Sequence, residues 1–342
     1  MRAYMSQLYG NAANKDLLGR LIENGTLPHA LIIDGASGSG KRTLAKQIVA
    51  ASLCENRTAS DKPLPCGSCR ACRLVLEEKA ADVSWVSRAE KATLGVDLVR
   101  AAKSDMYLSA NEFGSKFYIF EDAHTMTAQA QNALLVALEE PPKSVSIILL
   151  TESASALLST VRSRARLIRT EVFSREETRT FLTENYRHLL TPYEANEPLL
   201  SAILTEADGS IGRALALLDA RSSEELHRDR EAIDEILSSL TGRSFSALHT
   251  AFSALPTKRD ELIRSLTLLE RALRDIILLK RAKNAPLCYY ASANAVPKES
   301  LSLRMTALLR TLSEVEDAMQ RLERNANVAT VLNVLKYNLK KG

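Results

Sequence analysis

The chain has 342 residues, 46% hydrophobic and 25% charged, which is the composition of an ordinary globular protein with room for two or three domains. Its net charge of +4 is too small to indicate nucleic-acid binding by itself, and no apolar run approaches the length of a membrane span. The first residues carry no apolar signal segment, so we expect a cytoplasmic protein without membrane contact.

Short apolar runs alternate with amphipathic stretches between residues 29 and 170. The runs read as buried strands and the stretches as helices, the last of which is stopped by Pro141 and Pro142. Strands are predicted at 29–34, 116–122 and 144–152, and helices at 41–54 and 127–140. Strand, helix and strand in this order predict an α/β domain with a parallel sheet over residues 1–170.

Strand signals disappear after about residue 171. Ser174 and Glu177 stand at the spacing of a capping box, and a second helical stretch ends near Gly209, which together predict a small helical lid at 171–222. Long amphipathic helices are predicted at 259–282 and 302–339, separated by a loop at 283–300. They predict a third, all-α domain at 223–342.

The stretch "DGASGSGKRT" at 34–43 follows the first predicted strand and opens the first helix. Its glycines, Gly35, Gly38 and Gly40, would let backbone amides converge on phosphate oxygens, whose charge Lys41 would neutralise. The Ser or Thr that normally holds Mg²⁺ is replaced by Arg42, and Thr43 lies roughly 100° further round the helix. The pattern predicts weak or absent binding of ATP and Mg²⁺; the alternative is a glycine-rich turn with a surface lysine.

Four of the five cysteines fall between residues 54 and 72, and the fifth, Cys288, is isolated and read as a packing residue. Cys54, Cys66, Cys69 and Cys72 have the spacing C-x₁₁-C-x₂-C-x₂-C, and four thiolates complete the tetrahedral shell of a structural Zn²⁺. The alternative is a set of four free or buried thiols. A zinc module at 54–72 is the prediction.

Two charged sequences follow the later predicted strands. Glu121 and Asp122 end the second strand, where P-loop ATPases hold Mg²⁺ and an activating carboxylate, but the usual order is Asp then Glu. They could equally cap the strand. Arg162, Arg164, Arg166 and Arg169 follow the third strand and form either a solvated face or an arginine finger for a neighbouring subunit.

These residues together resemble the clamp loader of bacterial DNA polymerase III, an AAA+ ATPase assembly. The resemblance extends over essentially the whole chain, and its marks are "LPHALIIDGASGSGKRTLA", the four-cysteine module, "NALLVALEEPP", "STVRSRA", "DGSIGRALAL" and "LERNANVATVLNVL". It implies an AAA+ α/β domain, a helical lid and an all-α collar through which five subunits form an open ring.

Within that family the chain is similar to the delta-prime type of subunit, since Lys41-Arg42, Glu121-Asp122 and Ser163-Arg164-Ala165 all depart from the gamma/tau motor pattern. The resemblance implies a rigid stator whose Arg164 acts on the ATP site of an adjacent motor. It also implies a sensor-1 role for Thr151 and, one residue out of register, a sensor-2 role for Arg213.

The implied partners are gamma/tau and delta subunits in a hetero-pentamer, with the sliding clamp and primed DNA reached through the complex. Whether the chain itself hydrolyses ATP stays open at this point. An active gamma/tau-type ATPase, in which Thr43 and Asp122 take over the shifted roles, is the main alternative. A free-standing P-loop kinase is a third, and it would leave the collar unexplained.

Overall fold

The structure is a computed structural model that describes residues 2–89, 91–193, 196–240, 245–282, 287–290 and 292–340. It divides into two units, Met1–Val172 and Phe173–Gly342. The division lies next to the predicted boundary at residue 170. No helix in the described part of the chain is both long enough and apolar enough to cross a membrane.

The first unit is built on a parallel sheet. Its strands in the described residues are β1 (Ala30–Asp34), β2 (Val83–Val86), β3 (Lys116–Phe120), β4 (Val145–Thr151) and β5 (Arg166–Arg169), in the spatial order β2-β3-β4-β1-β5. The three predicted strands are confirmed as β1, β3 and β4. The two edge strands, β2 and β5, were not predicted from the sequence, and the arginine run at 162–169 is not the single cluster predicted, because its second half is β5.

Helices cover both faces of this sheet. They are α1 (Ala12–Glu23), α2 (Lys41–Ser52), α3 (Arg70–Leu76), α4 (Val96–Met106), α5 (Ala128–Glu139) and α6 (Ser159–Arg162). Alternate residues of a strand face opposite sides, so Leu31 and Ile33 of β1 join the core under α2, whereas Ile32 joins the core under α5. All five strands run parallel, so their carboxyl ends meet at one edge.

The second unit is helical in its described part. Its helices are α7 (Arg175–Asn185), α8 (Arg187–Leu190), α9 (Glu197–Glu206), α10 (Ile211–Leu217), α11 (Ala220–Ser239), α12 (Phe245–Ser253), α13 (Arg259–Arg281), α14 (Lys298–Ser302), α15 (Met305–Glu323) and α16 (Val328–Lys340). The capping box of Ser174 and Glu177 at the start of α7 is confirmed. One apolar core runs from Leu182 to Leu335, through both the predicted lid and the predicted collar.

Two predictions for this unit need correction. The helix predicted over 302–339 is interrupted between α15 and α16, and within the predicted lid the chain breaks at Tyr186 between α7 and α8. The predicted loop at 283–300 contains α14 at its end, and its residues 283–286 and 291 lie outside the described residues. In the described part of that loop, Asp275 of α13 accepts the backbone N–H groups of Cys288, Tyr289 and Tyr290.

Candidate nucleotide-binding site and cysteine cluster

The loop between β1 and α2 depends on its glycines. Gly38 and Gly40 have φ of 72° and 88°, left-handed values that favour glycine, and Gly40 is the N-cap of α2. Gly35 has no room for a side chain, because a Cβ there would lie 1.9 Å from Thr170 Oγ1. The predicted loop residues therefore serve conformation and packing, and the loop places the first turn of α2 at the carboxyl edge of the sheet.

The amino group of Lys41 is turned back onto its own loop. Nζ donates to the carbonyl oxygens of Gly35 at 2.7 Å and Ala36 at 2.8 Å. Burial lowers the pKa of Lys41, and the negative charges of Glu152 and Asp122 oppose that shift. A phosphate that bound Lys41 would have to replace these two carbonyl contacts.

Arg42, which stands where a Mg²⁺-binding hydroxyl is usual, has three partners from other elements. One guanidinium nitrogen, Nη1, forms an ion pair with Glu121, and Nη2 lies 2.6 Å from Oε2 of Glu78. The guanidinium carbon is 4.2 Å from the centre of the Trp85 ring, which is cation–π geometry. A fixed positive charge therefore lies beside the first of the two predicted acids.

The second predicted acid, Asp122, has an arginine of its own. Oδ2 of Asp122 accepts from Nε of Arg88 at 3.2 Å, and the residue has a left-handed φ of 49° at the start of a 3₁₀ turn. Thr43, the other candidate hydroxyl, is exposed on α2. Both predicted acids are thus matched by arginines.

Thr151 ends β4 beside the loop, where the sensor-1 position was predicted. It is fully buried, and its hydroxyl donates to the carbonyl oxygen of Ser153 at 3.0 Å and accepts from the Ser153 amide at 3.2 Å. Its own carbonyl accepts the Gly35 amide at 3.1 Å. In this structure the hydroxyl is used to form the turn after β4.

Arg164 follows α6 and is exposed, but it is held by two contacts. Nη2 lies 2.5 Å from Oε1 of Glu139, the last residue of α5, and Nη1 donates to the carbonyl oxygen of Thr160 at 2.9 Å. The neighbouring arginines of the run have different positions and contacts. Arg162 ends α6, and Arg169 in β5 lies 3.7 Å from Asp34.

Arg213 lies on α10 in the second unit. It forms an ion pair with the buried carboxylate of Glu206, whose other oxygen lies 2.9 Å from Nη1 of Arg271. The sensor-2 role predicted for Arg213 stays a prediction.

The four clustered cysteines come together at the junction of α2 and α3. Cys54 follows α2, Cys69 is the N-cap of α3 and Cys72 lies within α3. The four Sγ atoms lie within 4.8 Å of one another, and those of Cys66 and Cys72 are 3.9 Å apart. Four thiolates at about 2.3 Å from a tetrahedral Zn²⁺ would be about 3.8 Å apart, so the spacing fits such an ion.

The thiols of this cluster lie in a shared electrostatic environment. Burial raises the pKa of Cys66, but the amide of Cys69 and the side chain of Asn56 outweigh it and lower the pKa to about 5. Burial raises the pKa of Cys72. Four thiolates at this spacing could close a four-coordinate shell with no open position for chemistry.

Sequence reasoning missed Glu78, Trp85, Arg88 and Glu139. The partners of Arg42 lie 36 and 79 residues further along the chain, and nothing local marks them. Glu139 lies in "LEEPP", a segment that the sequence analysis singled out without assigning this residue a role.

The sequence profile described as "DNA polymerase III, delta subunit" matches residues 10–174. The delta' subunit of Bacillus subtilis is 24% identical over 95% of this chain and 95% of its own length. The delta' subunit of Pseudomonas aeruginosa is 36% identical over 40% of this chain and 41% of its own length. The gamma subunit of Buchnera aphidicola (Acyrthosiphon pisum) is 30% identical, and the match spans 52% of its length.

The profile match and the delta' relatives support a clamp-loader subunit of bacterial DNA polymerase III, of the AAA+ type. This gamma relative and a second one, from Buchnera aphidicola (Schizaphis graminum), are matched over 52% and 59% of their length, whereas the delta' relative from Bacillus subtilis is matched nearly end to end. In this chain the loop of Gly35 to Lys41 lies at the carboxyl edge of the parallel sheet, and Arg42 stands where the sequence pattern expects a Mg²⁺-binding hydroxyl.

Proposed function

We propose that this clamp-loader subunit is of the delta-prime type, a stator that supports ATP-dependent loading of a sliding clamp onto primed DNA in the cytoplasm without hydrolysing ATP itself. The observation that carries the proposal is the ion pair between Arg42 and Glu121. Hydrolysis needs Mg²⁺ and an activating carboxylate at this edge. Arg42 occupies the position of the Mg²⁺-binding hydroxyl and forms an ion pair with Glu121, the first of the two acids. The end-to-end similarity to a delta' subunit supports it.

Arg164 is the residue proposed to act in catalysis, on a neighbouring motor. An arginine finger must be accessible and oriented, because it stabilises charge that develops in another subunit's active site. The exposure of Arg164 and its contacts with Glu139 and Thr160 meet these two requirements.

The partners proposed for this subunit are gamma/tau and delta subunits in a hetero-pentamer. Within this chain, residues 171–222 would form the helical lid and residues 223–342 the collar. The cysteine cluster would hold a structural Zn²⁺, with all four thiolates as ligands. ATP would bind weakly or not at all, through Gly35, Gly38, Gly40 and Lys41.

The test is steady-state ATP hydrolysis by the isolated chain and by a reconstituted complex of this chain with its gamma/tau and delta partners. We expect negligible turnover by the chain alone, and an unchanged rate when the complex carries Lys41→Ala in this subunit only. Omitting the chain should abolish clamp loading. Rapid Mg²⁺-dependent turnover by the isolated chain that is lost in Lys41→Ala would contradict the stator role.

That contrary result would favour the second candidate, an active gamma/tau-type ATPase. The observation in its favour is that Lys41 and the glycine loop are kept and that gamma subunits are among the similar proteins. In that case Lys41→Ala should lower the ATPase rate of both the isolated chain and the complex.

A further inference from the structure

We propose that the guanidinium of Arg42 is the resident cation of the altered site, standing in for a divalent metal ion beside Glu121 and thereby excluding Mg²⁺ from the loop. The inference rests on the proposed function only in taking the loop of Gly35 to Lys41 as an altered ATP site. Exclusion of Mg²⁺ then has one physical cause, the side chain of Arg42.

The first step is that Arg42 is fixed from three directions. Glu121 at the end of β3 and Glu78 after α3 each form an ion pair with it, and Trp85 of β2 stacks on it. Arginine suits such a place because its planar group can bind carboxylates on its edges while its face lies on an aromatic ring. These elements are separate in sequence, and each limits a different movement of the guanidinium.

The second step is the balance of charge. Among the described residues at this edge, Glu121 is matched by Arg42, Asp122 by Arg88 and Asp34 by Arg169. Glu78 is matched by Lys46 as well as Arg42, and Glu152 acts on the positive charge of Lys41. A divalent cation prefers carboxylate oxygens and would have to displace a guanidinium to reach Glu121. The ion would also lie close to the displaced guanidinium, whose positive charge repels it, so binding of the ion is opposed twice.

The same contacts supply a fluorescent reporter of the Arg42 guanidinium. Trp85 is the only tryptophan in the chain, and it touches the proposed resident cation. Any change at the guanidinium therefore alters the emission of a single, identified fluorophore. Removal of Arg42 should leave Glu121 without its arginine and open to a metal ion.

The experiment titrates the full-length, zinc-replete protein with Mn²⁺ into the millimolar range, following free Mn²⁺ by electron paramagnetic resonance and Trp85 by fluorescence. We expect the wild type to take up no Mn²⁺ at this site, and Arg42→Thr to gain about one saturable equivalent with a change in emission. The added replacement Glu121→Gln should abolish the gain. Arg100→Thr, which removes an exposed positive charge on α4, is the matched control and should behave as the wild type.

Two results would overturn the proposal. One is Mn²⁺ uptake by the wild type that Glu121→Gln removes, and the other is a folded Arg42→Thr protein that gains no uptake. If Arg42→Thr fails to fold, Arg42→Gln keeps much of the side-chain length and serves in its place, and the wild-type titration stands by itself. The stator function is judged separately by the reconstituted complex, so failure of either idea can be told from failure of the other.

Discussion

At the scale of single residues, the loop after β1 combines a glycine-dependent backbone with the fixed charge of one side chain, Arg42. Gly38 and Gly40 keep the left-handed conformations of the turn, and Lys41 keeps its place at the start of α2. Arg42 alone brings a new charge to Glu121. The fold tolerates the change because Glu78 and Trp85 lie where they can bind a guanidinium.

Arg164→Ala should lower clamp- and DNA-stimulated ATP hydrolysis by the reconstituted complex while leaving assembly intact. An arginine finger contributes on the order of 10³ to 10⁵ in rate at the site that it serves, but only one motor site faces this subunit, so the total rate should fall in part. Arg164→Lys should rescue little, because an ammonium lacks the planar fork. The measurement is steady-state hydrolysis.

Arg162→Ala is the control for this prediction, since Arg162 lies in the same run at the end of α6. Equal defects in Arg162→Ala and Arg164→Ala would indicate a general effect of positive charge. An unchanged rate in Arg164→Ala would leave the arginine as part of a solvated surface.

Asp82→Asn should destabilise the first unit by about 1 to 3 kcal/mol at neutral pH, because a buried acceptor of three amides is lost. The carboxylate accepts the N–H groups of Asn111, Glu112 and Phe113 at 2.6 to 2.8 Å. Burial raises the pKa of Asp82, but these amides outweigh it and hold the pKa below its ordinary value.

The pH dependence of this effect follows from the lowered pKa. The stabilisation is fully present above the unfolded pKa, near 3.9, and is lost as the pH falls through the lower folded pKa. Urea denaturation of the wild type and Asp82→Asn should therefore give free energies of unfolding that converge at acidic pH. Asp61→Asn, at an exposed position, should have no measurable effect at any pH. A constant difference between wild type and Asp82→Asn across the pH range would show that the charge is not the cause.

At the scale of elements, α3 joins the cysteine cluster to the altered loop. Its N-cap is Cys69, it contains Cys72, and Glu78 follows its end and binds both Arg42 and Lys46 of α2. A helix of seven residues is too short to be stable by itself. Its position therefore depends on the packing of Ala71 and Val75 in the core and on what holds its first turn.

The cysteine cluster should contain one Zn²⁺ per chain, and Cys69→Ser should lose it. Binding of the metal and folding of the module contribute to the same free energy, so loss of the metal should release α3 and Glu78. We then expect a change in Trp85 emission together with a lower free energy of unfolding of the first unit. Metal analysis and fluorescence before and after chelation measure both effects.

Cys288→Ser is the matched control, because Cys288 is the cysteine outside the cluster and lies in the second unit. It should keep its zinc and its emission spectrum. Less than about half an equivalent of zinc in a well-folded wild type would remove the metal from the module. Loss of zinc without any change in Trp85 emission would show that the metal does not hold α3 and Glu78 in place.

At the scale of the whole molecule, the chain forms two units with separate apolar cores. The sheet lies between two of these cores in the first unit, and one continuous core runs through the second. α11 crosses the predicted boundary at residue 222, and it buries Leu226 and Ile233 in the same core as Leu200 and Ile203 of α9. The predicted lid and the predicted collar therefore share one apolar core.

Fragments 1–172 and 173–342 should each unfold cooperatively when expressed alone, because each contains its complete core. Fragment 223–342 should be much less stable, since removal of α9 and α10 exposes Leu226 and Ile233 to water. Circular dichroism during urea denaturation measures the three transitions. A cooperative 223–342 fragment as stable as 173–342 would instead support an independent collar.

The sequence by itself determined the elements whose signal is local. β1, the glycine loop and α2 were readable because an apolar run, a turn pattern and a helical period follow one another, and the capping box of Ser174 was readable from three residues. The four cysteines were readable from spacing alone. β2 and β5 were not, because edge strands are partly solvated and Arg166–Arg169 carries charges at both ends.

Only the tertiary structure decided what the charged residues do. A sequence shows that Arg42 cannot bind Mg²⁺, but it cannot show that Glu121, Glu78 and Trp85 surround it, because those residues come from β3, the end of α3 and β2. Parallel strands joined by helices bring their carboxyl ends to one edge whatever their distance along the chain. Long-range pairing of charges depends on that topology and leaves no local pattern to read.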